Sequence, residues 1–327
     1  MGKLRLAILG AGNIAQRMAA TAVNMPGEIE LVAVASREQK KAQDFADRYH
    51  IPNVFGSYEA MLMQDNIDLV YVATPHSHHA QHVRMCLEYG KHVLCEKPFT
   101  PNEAQARELF DLAKQKGLFV MEAFWSRLLP FWKKLYEILD EGNLGPVRSV
   151  QADFGGYSCQ VPRMNRPELA GGALLDIGVY CLHFAEMVLG REIHSMTSAA
   201  QLTPEGVDAQ STAVIQYQSG ALAVLSSSMV SPLKNQALIF CEKGYIRLDY
   251  FWKAESIQVF ITGKEQPEIY HCPLEDNGFE CELRAAAQAI EQGWLECPEI
   301  SHETTLFVLR QADELRRQWG MKYPFEV

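Results

Sequence analysis

The sequence has few of the features that mark a secreted, membrane-bound or nucleic-acid-binding protein. No apolar run approaches the roughly 20 residues that a membrane span needs, and the short apolar stretch near the start is not followed by a signal-cleavage pattern. Acidic residues outnumber lysine and arginine, giving a formal net charge of -10, and no basic cluster is present that would bind a polyanion. We therefore expect a soluble, cytoplasmic protein that binds neither nucleic acid nor membrane.

Thiol and metal-binding patterns are also scarce. Eight cysteines are spread along the chain without a C-x-x-C pair, which favours buried, reduced thiols. The run His76-Ser77-His78-His79 invites a metal hypothesis. No thiol or acidic ligand completes a tetrahedral set nearby in the sequence, however. We predict no metal site.

The first 122 residues contain short apolar runs that alternate with amphipathic segments. The runs are apolar on both faces, as are strands covered by helices on each side. Such alternation predicts a parallel, doubly wound sheet. The predicted strands are Leu4–Leu9, Glu30–Ala35, Leu69–Ala73, His92–Cys95 and Phe119–Met121, and the predicted helices span 13–24, 38–49, 57–64, 78–89 and 101–116.

The rhythm changes after about residue 123. Longer alternating runs, separated by turn residues, extend from 192 to 272 and predict an antiparallel meander. The predicted helices here span 128–141, 172–189, 278–292 and 302–318.

These patterns and the chain length predict two domains. Residues 1–122 form a doubly wound α/β domain, and residues 123–327 form an α+β domain with one open, mostly antiparallel sheet.

The motif Gly10-Ala11-Gly12-Asn13-Ile14-Ala15 is G-x-G-x-x-A, placed between the first strand and the first helix. Gly10 permits a tight turn, Gly12 lets the backbone approach a pyrophosphate, and the helix N-terminus supplies a field that favours the anion. A purely structural glycine turn is the alternative. The context favours a Rossmann dinucleotide-binding domain, with Gly10, Gly12, Asn13 and Ile14 at the cofactor.

The second strand ends in Val34-Ala35-Ser36-Arg37. Its tip lacks the acidic residue that binds the ribose 2′-hydroxyl of NAD, and Arg37 can pair with a 2′-phosphate instead. We therefore place Ser36 and Arg37 at the cofactor and favour NADP over NAD. The acidic residue Glu38 lies close to this tip, so that NAD remains the alternative cofactor. The alternative for Arg37 is a solvent-exposed position at the start of the next helix, with no role in binding.

Three further segments carry a family resemblance: Ala73-Thr74-Pro75 with His79, then Cys95-Glu96-Lys97-Pro98-Phe99, then the stretch from Gly171 through Asp176 to Tyr180. With the glycine motif, they resemble the glucose–fructose oxidoreductase / inositol dehydrogenase / rhizopine-catabolism (Gfo/Idh/MocA) family over essentially the whole chain. Tyr180 and the stretch 121–127 look most like the dimeric dihydrodiol dehydrogenase and D-xylose dehydrogenase branch.

The resemblance implies that Lys97 sits beside the nicotinamide of the cofactor. A lysine ammonium next to a tyrosine can favour the phenolate, so that Tyr180 acts as base in oxidation and as acid in reduction. Whether Tyr180 or Lys97 is the immediate proton carrier stays open. Asp176, at i, i+4 before Tyr180, is expected to face the same site. The loops on the cofactor side are expected to contribute Thr74, Pro75, His76, His79 and Glu96.

Two aromatic residues, Trp125 and Phe154, are predicted to contact substrate. Aromatic side chains stack against sugar rings and cyclic diols alike. The predicted function is an NADP-dependent dehydrogenase for a secondary alcohol of a sugar, such as D-xylose, or of a cyclic trans-diol. The alternatives are a sugar-carbonyl reductase on the same scaffold and a non-catalytic regulator that senses nucleotide.

The outer face of the open sheet in the second domain is expected to be covered by another element or another copy of the chain. Apolar residues such as Val224, Leu225 and Ile239 predict a homodimer that forms sheet to sheet. The family resemblance implies the same arrangement.

Overall fold

The computed structural model describes residues 2–326 and divides them into two compact units. The first comprises the chain up to Leu128 together with Glu275–Leu306, and the second comprises Leu129–Leu274 together with the chain from Phe307 onward. The predicted domain boundary between residues 122 and 123 stays a prediction.

The strands and helices follow one another along the chain with short connections. The strands are β1 (Leu4–Leu9), β2 (Ile29–Ala35), β3 (Asn53–Phe55), β4 (Leu69–Val72), β5 (His92–Glu96), β6 (Val120–Ala123), β7 (Val147–Gly155), β8 (Ile193–Leu202), β9 (Asp208–Tyr217), β10 (Leu222–Ser228), β11 (Gln236–Cys241), β12 (Gly244–Asp249), β13 (Ser256–Ile261) and β14 (Glu268–His271). The α-helices are α1 (Asn13–Asn24), α2 (Gln39–Tyr49), α3 (Tyr58–Leu62), α4 (His79–Glu88), α5 (Glu103–Lys116), α6 (Phe131–Asp140), α7 (Val179–Leu189), α8 (Phe279–Glu291) and α9 (His302–Gln318).

The sheet of the first unit has six parallel strands in the order β3-β2-β1-β4-β5-β6. All four residues of β4 are buried, because helices cover both faces of a doubly wound sheet. The strand order reverses between β1 and β4, and ligands of such sheets bind at the carboxyl ends of the strands beside this point. The predicted Rossmann fold is confirmed.

The start of α5 differs from the prediction by two residues. The side chain of Asn102 caps this helix by accepting a 3.0 Å hydrogen bond from the amide of Gln105. The helix ends at Gly117, which takes φ 66°, a conformation that glycine adopts without strain.

The sheet of the second unit has eight strands in the order β14-β13-β12-β11-β7-β10-β9-β8. Only β7 and β10 pair in parallel, and the other neighbours are antiparallel. Helices α6 and α7 contact this sheet, and the strand residues buried at this side include Val150, Ala152 and Ala223. The predicted mostly antiparallel sheet is confirmed.

Of the three residues that the sequence suggested for the outer face of this sheet, only Val224 lies on it. Leu225 and Ile239 are 4% and 0% exposed and belong to the core, whereas Val224 lies on the other face with its cross-strand partner Val214, which is 41% exposed. Both alternating positions of this run are apolar, so that a period of two does not identify the buried face. The correct outer face is therefore the one with Val214 and Val224.

One described segment, 167–189, is helical, long and apolar enough to cross a membrane. It contains the predicted helix 172–189, for which the sequence analysis expected no membrane span. Its most apolar window is 72% buried inside the protein, as the core helix of a globular unit is.

Candidate active site

The glycine motif forms a tight turn between β1 and α1. Gly10 takes φ 103°, and a Cβ there would lie 2.8 Å from the carbonyl oxygen of Ala73, so that no other residue fits. Gly12 is different, because a Cβ would meet only the Ala73 oxygen at 3.7 Å. The protein's own packing therefore does not require glycine at position 12, whereas a pyrophosphate against this backbone would.

The N-terminus of α1 suits an anion. Gly12 precedes the helix and offers no capping side chain, and the first turn, which begins with Asn13 and Ile14, contains no acidic residue. The amide groups at such an end are left for a ligand or solvent, and the helix dipole favours negative charge there.

The predicted cofactor residues after β2 lie at its carboxyl end. Ser36 is buried and its hydroxyl accepts a 3.4 Å hydrogen bond from the amide of Glu38, while Arg37 is exposed. The positive charge of Arg37 is close enough to help lower the pKa of His78, although burial is the larger cause.

The loop after β4 carries Thr74, Pro75 and a short 3₁₀ turn over His76–His78. His79 follows as the first residue of α4 and is fully buried. Its Nδ1 lies 2.8 Å from the carbonyl oxygen of Pro98, and its Nε2 lies 2.8 Å from that of Thr74. Burial lowers the pKa of His79 to about 4, so that the ring is neutral and each tautomer donates to one of the two carbonyls.

The contacts of His79 and His82 occupy ring nitrogens that a metal ion would need as ligands. His82 Nδ1 lies 2.9 Å from the hydroxyl of Thr74, and both ring nitrogens of His79 face carbonyl oxygens. Within residues 2–326, no group of three or more histidine, cysteine, aspartate or glutamate side chains is placed to hold a metal ion.

Lys97 follows β5 directly and is half-buried, and its peptide bond to Pro98 is cis. The preceding Glu96 is buried and accepts hydrogen bonds from the Tyr71 hydroxyl and from the amide of Lys97. Burial raises the pKa of Glu96 to about 7, against the opposing effects of the Tyr71 hydrogen bond and of the Lys97 charge.

The second unit contains Asp176 and Tyr180 on one helical segment. Leu174–Gly178 form a π-helical turn that leads into α7, and such turns are frequent at functional sites. The carboxylate of Asp176 accepts a 2.9 Å ion-paired hydrogen bond from Arg163. Arg163 is therefore part of this segment's polar surroundings, a role that the sequence did not predict.

Tyr180 packs in an aromatic cluster of the second unit. Its ring meets that of Phe154 edge to face at 5.5 Å, and Phe154 stacks on Trp252 at 3.6 Å with nearly parallel planes. The other aromatic residue predicted at the substrate, Trp125, belongs to the first unit and stacks on Phe279 at 5.3 Å.

Asp208 is a residue that sequence reasoning missed. Its Oδ2 accepts a 2.6 Å hydrogen bond from the amide of Leu174, at the start of the segment with Asp176 and Tyr180. Burial raises the pKa of Asp208 to about 7. A Cβ on Gly172, which takes φ 112°, would lie 2.2 Å from Asp208 Oδ1. The sequence shows the glycine pair before Leu174, but it does not show that Asp208, 34 residues after Leu174, packs against it.

A tight glycine turn after β1, an uncapped helix N-terminus and a lysine after β5 of the same parallel sheet make the first unit a dinucleotide-binding domain of an oxidoreductase. Comparison with known proteins then identifies the family. Residues 4–124 match the oxidoreductase family with an NAD-binding Rossmann fold, and residues 132–247 match the GFO/IDH/MocA C-terminal domain. The chain belongs to the Gfo/Idh/MocA oxidoreductase family, which confirms the predicted resemblance.

Relatives and solved structures cover nearly the whole chain. The trans-1,2-dihydrobenzene-1,2-diol dehydrogenase of Xenopus tropicalis is 37% identical over 326 residues, covering 97% of this chain and 98% of the relative. The enzyme of the same name from Mus musculus is 33% identical over 331 residues, with 98% of each chain covered. The family acts on small molecules, so that a small-molecule substrate fits this chain.

Two solved structures are similar in fold. A 3-ketoreductase from Actinomadura kijaniata in complex with NADP and TDP-benzene has a TM-score of 0.89 and 28% identity, covering 97% of this chain and 98% of that one. An aldose-aldose oxidoreductase from Caulobacter crescentus complexed with glycerol has a TM-score of 0.86 and 26% identity, with 97% of each chain covered.

Proposed function

We propose that the protein is an NADP-dependent dehydrogenase that oxidises a secondary alcohol of a cyclic trans-diol or of a sugar such as D-xylose. One observation carries this proposal: Gly10, Thr74 and Lys97 follow the carboxyl ends of β1, β4 and β5, which are neighbours in the sheet. This edge is where doubly wound sheets bind dinucleotides. The names of the relatives, which match over nearly the full length, support the diol as substrate.

The choice of NADP rests on the end of β2. The residues after this strand are Ser36 and Arg37, and no carboxylate stands at the tip. An arginine guanidinium pairs with a phosphate by two parallel hydrogen bonds, whereas NAD binding normally uses an acidic residue here. The ketoreductase structure that contains NADP is consistent with this choice.

The proposed reaction assigns a separate role to each group of site residues. Gly10, Gly12 and the first turn of α1 would hold the pyrophosphate, and Lys97 would lie beside the reacting ring. Bound NADP would supply the hydride acceptor for oxidation of the alcohol carbon. Tyr180 would take the hydroxyl proton in that direction and return it in the other.

Lys97 belongs to the first unit and Tyr180 to the second, and the roles proposed for both residues rest on the family resemblance. An ammonium beside a phenol favours the phenolate, so that Lys97 would make Tyr180 a better base. Asp176, held by Arg163, would orient the substrate hydroxyls, and Phe154 and Trp125 would contact the substrate ring. Lys97 as the immediate proton carrier is the alternative.

A carbonyl reductase on the same scaffold is the second candidate. The similar structure of a 3-ketoreductase favours it, and the same residues would serve, with Tyr180 as acid. A non-catalytic regulator has less support, because Lys97, Asp176 and Tyr180 are all present.

We further propose that the protein forms a homodimer through the outer face of the eight-stranded sheet. This face presents Val214 and Leu222, each 41% exposed, and the half-buried Val224 and Leu238. An open sheet with such a face gains stability when a second copy covers it. A cytoplasmic location stays a prediction.

The test is to mix the purified protein with NADP or NAD and to follow the absorbance of the reduced nicotinamide with trans-diols and aldoses. We expect reduction of NADP, and a fall in kcat of about 100-fold or more in Lys97→Met and Tyr180→Phe, with NADP binding retained. Tyr270→Phe, a tyrosine of the surface strand β14, is the matched control and should keep the wild-type kcat. Dinucleotide binding without turnover on any substrate would favour the regulator.

A further inference from the structure

The loop that carries Lys97 has its backbone held at three successive residues by side chains. The amide of Lys97 donates a 3.2 Å hydrogen bond to Glu96 Oε2. The carbonyl oxygen of Pro98 lies 2.8 Å from Nδ1 of His79. The amide of Phe99 donates a 2.9 Å hydrogen bond to Glu122 Oε1. Glu96, His79 and Glu122 are all buried, so that water does not compete for these bonds.

Glu122 reaches this loop from a different strand. It lies on β6 and is 3% exposed. Its second oxygen, Oε2, accepts a 2.8 Å hydrogen bond from the hydroxyl of Thr305, which is 183 residues away in the sequence. The orientation of the carboxylate is therefore fixed from both sides, by the amide of Phe99 and by α9.

The position of Glu122 is costly for a carboxylate. Burial raises its pKa, and the hydrogen bonds from Thr305 and Phe99 and the positive charges of Arg127 and Lys97 oppose this shift. A buried ionisable group costs free energy unless hydrogen bonds and opposite charges compensate. Here the largest compensation is the hydrogen bond from Thr305, and the next is the hydrogen bond from the amide of Phe99, in the loop that contains Lys97.

We propose that Glu122 is a positioning residue for the reaction, because its hydrogen bond to the amide of Phe99 fixes the backbone that carries Lys97. This proposal rests on the proposed function of Lys97. Displacing a reacting group by about 1 Å can cost on the order of 100-fold in rate. Loss of Glu122 should therefore lower kcat and leave the affinity for NADP nearly unchanged, because the contacts proposed for pyrophosphate and 2′-phosphate lie at Gly12 and Arg37.

The variants separate positioning from mere burial. Glu122→Met keeps the side-chain length but removes the acceptor for the Phe99 amide. Glu122→Gln keeps one acceptor oxygen for that amide, and its NH₂ group can donate to the Thr305 hydroxyl. Glu280→Gln is the matched control, because Glu280 is a buried glutamate of the same unit whose carboxylate accepts hydrogen bonds from the amides of Asp276, Asn277 and Gly278.

Two measurements are made on each variant. Hydrogen exchange at the Phe99 amide reports the loop without any need for turnover, and steady-state kinetics give kcat and KM. We expect Glu122→Met to exchange Phe99 at least about 10-fold faster than wild type and to lose about 10- to 100-fold in kcat, with the Kd for NADP within about threefold. We expect Glu122→Gln to recover most of the kcat and Glu280→Gln to exchange Phe99 at the wild-type rate.

The outcomes are distinct. If the Phe99 amide exchanges at the wild-type rate in Glu122→Met, Glu122 does not hold the loop and the proposal is overturned, whatever the kcat of the variant. Faster exchange with wild-type kcat overturns the positioning role. If the wild-type protein turns over no substrate while the Phe99 amide exchanges faster in Glu122→Met, the proposed function is wrong, but Glu122 does hold the loop. If Glu122→Met does not fold, Thr305→Val, which removes the second partner of Glu122, should shift both readouts in the same direction by a smaller factor.

Discussion

The hydroxyl of Tyr323 donates a 2.7 Å hydrogen bond to the carbonyl oxygen of Gly171. The segment near the C-terminus therefore holds the turn that precedes Asp176 and Tyr180. Tyr323 is 1% exposed, and its ring lies 4.8 Å from the guanidinium of Arg316, which is ion-paired with Glu326. The turn with Gly171 is thus fixed by residues about 150 positions further along the chain.

We predict that Tyr323→Phe destabilises the protein. Without the Tyr323 hydroxyl, the buried carbonyl oxygen of Gly171 loses this hydrogen bond, which lowers the free energy of unfolding by about 1–3 kcal/mol. We also expect kcat to fall by up to about tenfold, because the turn leads into the segment with Tyr180. Denaturant unfolding and steady-state kinetics measure the two effects.

Tyr270→Phe is the control for the loss of a tyrosine hydroxyl. Tyr270 donates to Glu268 near the surface, so that its variant should change the free energy of unfolding by less than about 0.5 kcal/mol. A Tyr323→Phe protein with the stability and kcat of the wild type would contradict the prediction.

The second prediction concerns cofactor choice. Arg37→Ala should raise the Kd for NADP by about 10- to 100-fold, because charge-assisted hydrogen bonds contribute roughly 1.5–3 kcal/mol each. The Kd for NAD should change little, since NAD has no 2′-phosphate. Titration calorimetry with both dinucleotides measures the ratio. Lys40→Ala, at an exposed position of α2, is the control, and an equal loss for both dinucleotides in Arg37→Ala would disprove the 2′-phosphate contact.

Local sequence patterns predicted the parallel unit closely. The predicted strand Leu4–Leu9 and helix 13–24 have the observed bounds, because strands buried on both faces and a glycine motif at a strand end are signals within one short segment. The predicted site residues of this unit follow the strands for the same reason. Their roles at the cofactor stay predictions.

Contacts between distant segments could not be predicted in this way. The sequence reading did not single out β7, which lies at the centre of the second sheet between β11 and β10, because periodicity does not reveal the partner of a strand. Glu122 reaches Thr305 across 183 residues, and Tyr323 reaches Gly171 across 152. Such positioning roles depend on the folded chain, and only the residues that they position appear in a motif.

The third prediction is that Glu282→Met stabilises the protein. Glu282 is 0% exposed, and neither carboxylate oxygen has a hydrogen-bond partner among residues 2–326. Burial and then the charge of Glu96 raise its pKa well above the usual 4.5. The folded state therefore binds a proton more tightly than the unfolded state, and this group destabilises the fold increasingly as the pH rises above about 4.5.

Replacing Glu282 with an apolar residue of similar length should raise the free energy of unfolding by about 1–4 kcal/mol at pH 7–8. The gain over wild type should shrink as the pH is lowered toward 4.5. Thermal unfolding over this range measures it, with Glu291→Met, at an exposed position of α8, as the control. A lower Tm for Glu282→Met at pH 8 would contradict this account.

The last prediction is a loss of stability in mild acid that depends on His82. This side chain is 6% exposed, and its Nδ1 lies 2.9 Å from the Thr74 hydroxyl. Burial, followed by the charges of His78, His79 and Arg37, lowers its pKa to about 4, and Glu59 opposes the shift. Because the unfolded chain binds the proton more tightly, stability is full above about pH 6.5 and falls as the pH drops toward 4.

We expect His82→Asn, which can keep a polar atom near the Thr74 hydroxyl, to show a shallower loss of stability between pH 6.5 and 4. The difference should be on the order of 1–3 kcal/mol over this range. Urea unfolding of the dinucleotide-free protein at several pH values measures the slope. His194→Asn, on the exposed side of β8, should keep the wild-type slope. If His82→Asn has the same pH dependence as wild type, another group causes the acid sensitivity, and the fully buried His79, whose pKa is also lowered to about 4, becomes the residue to replace.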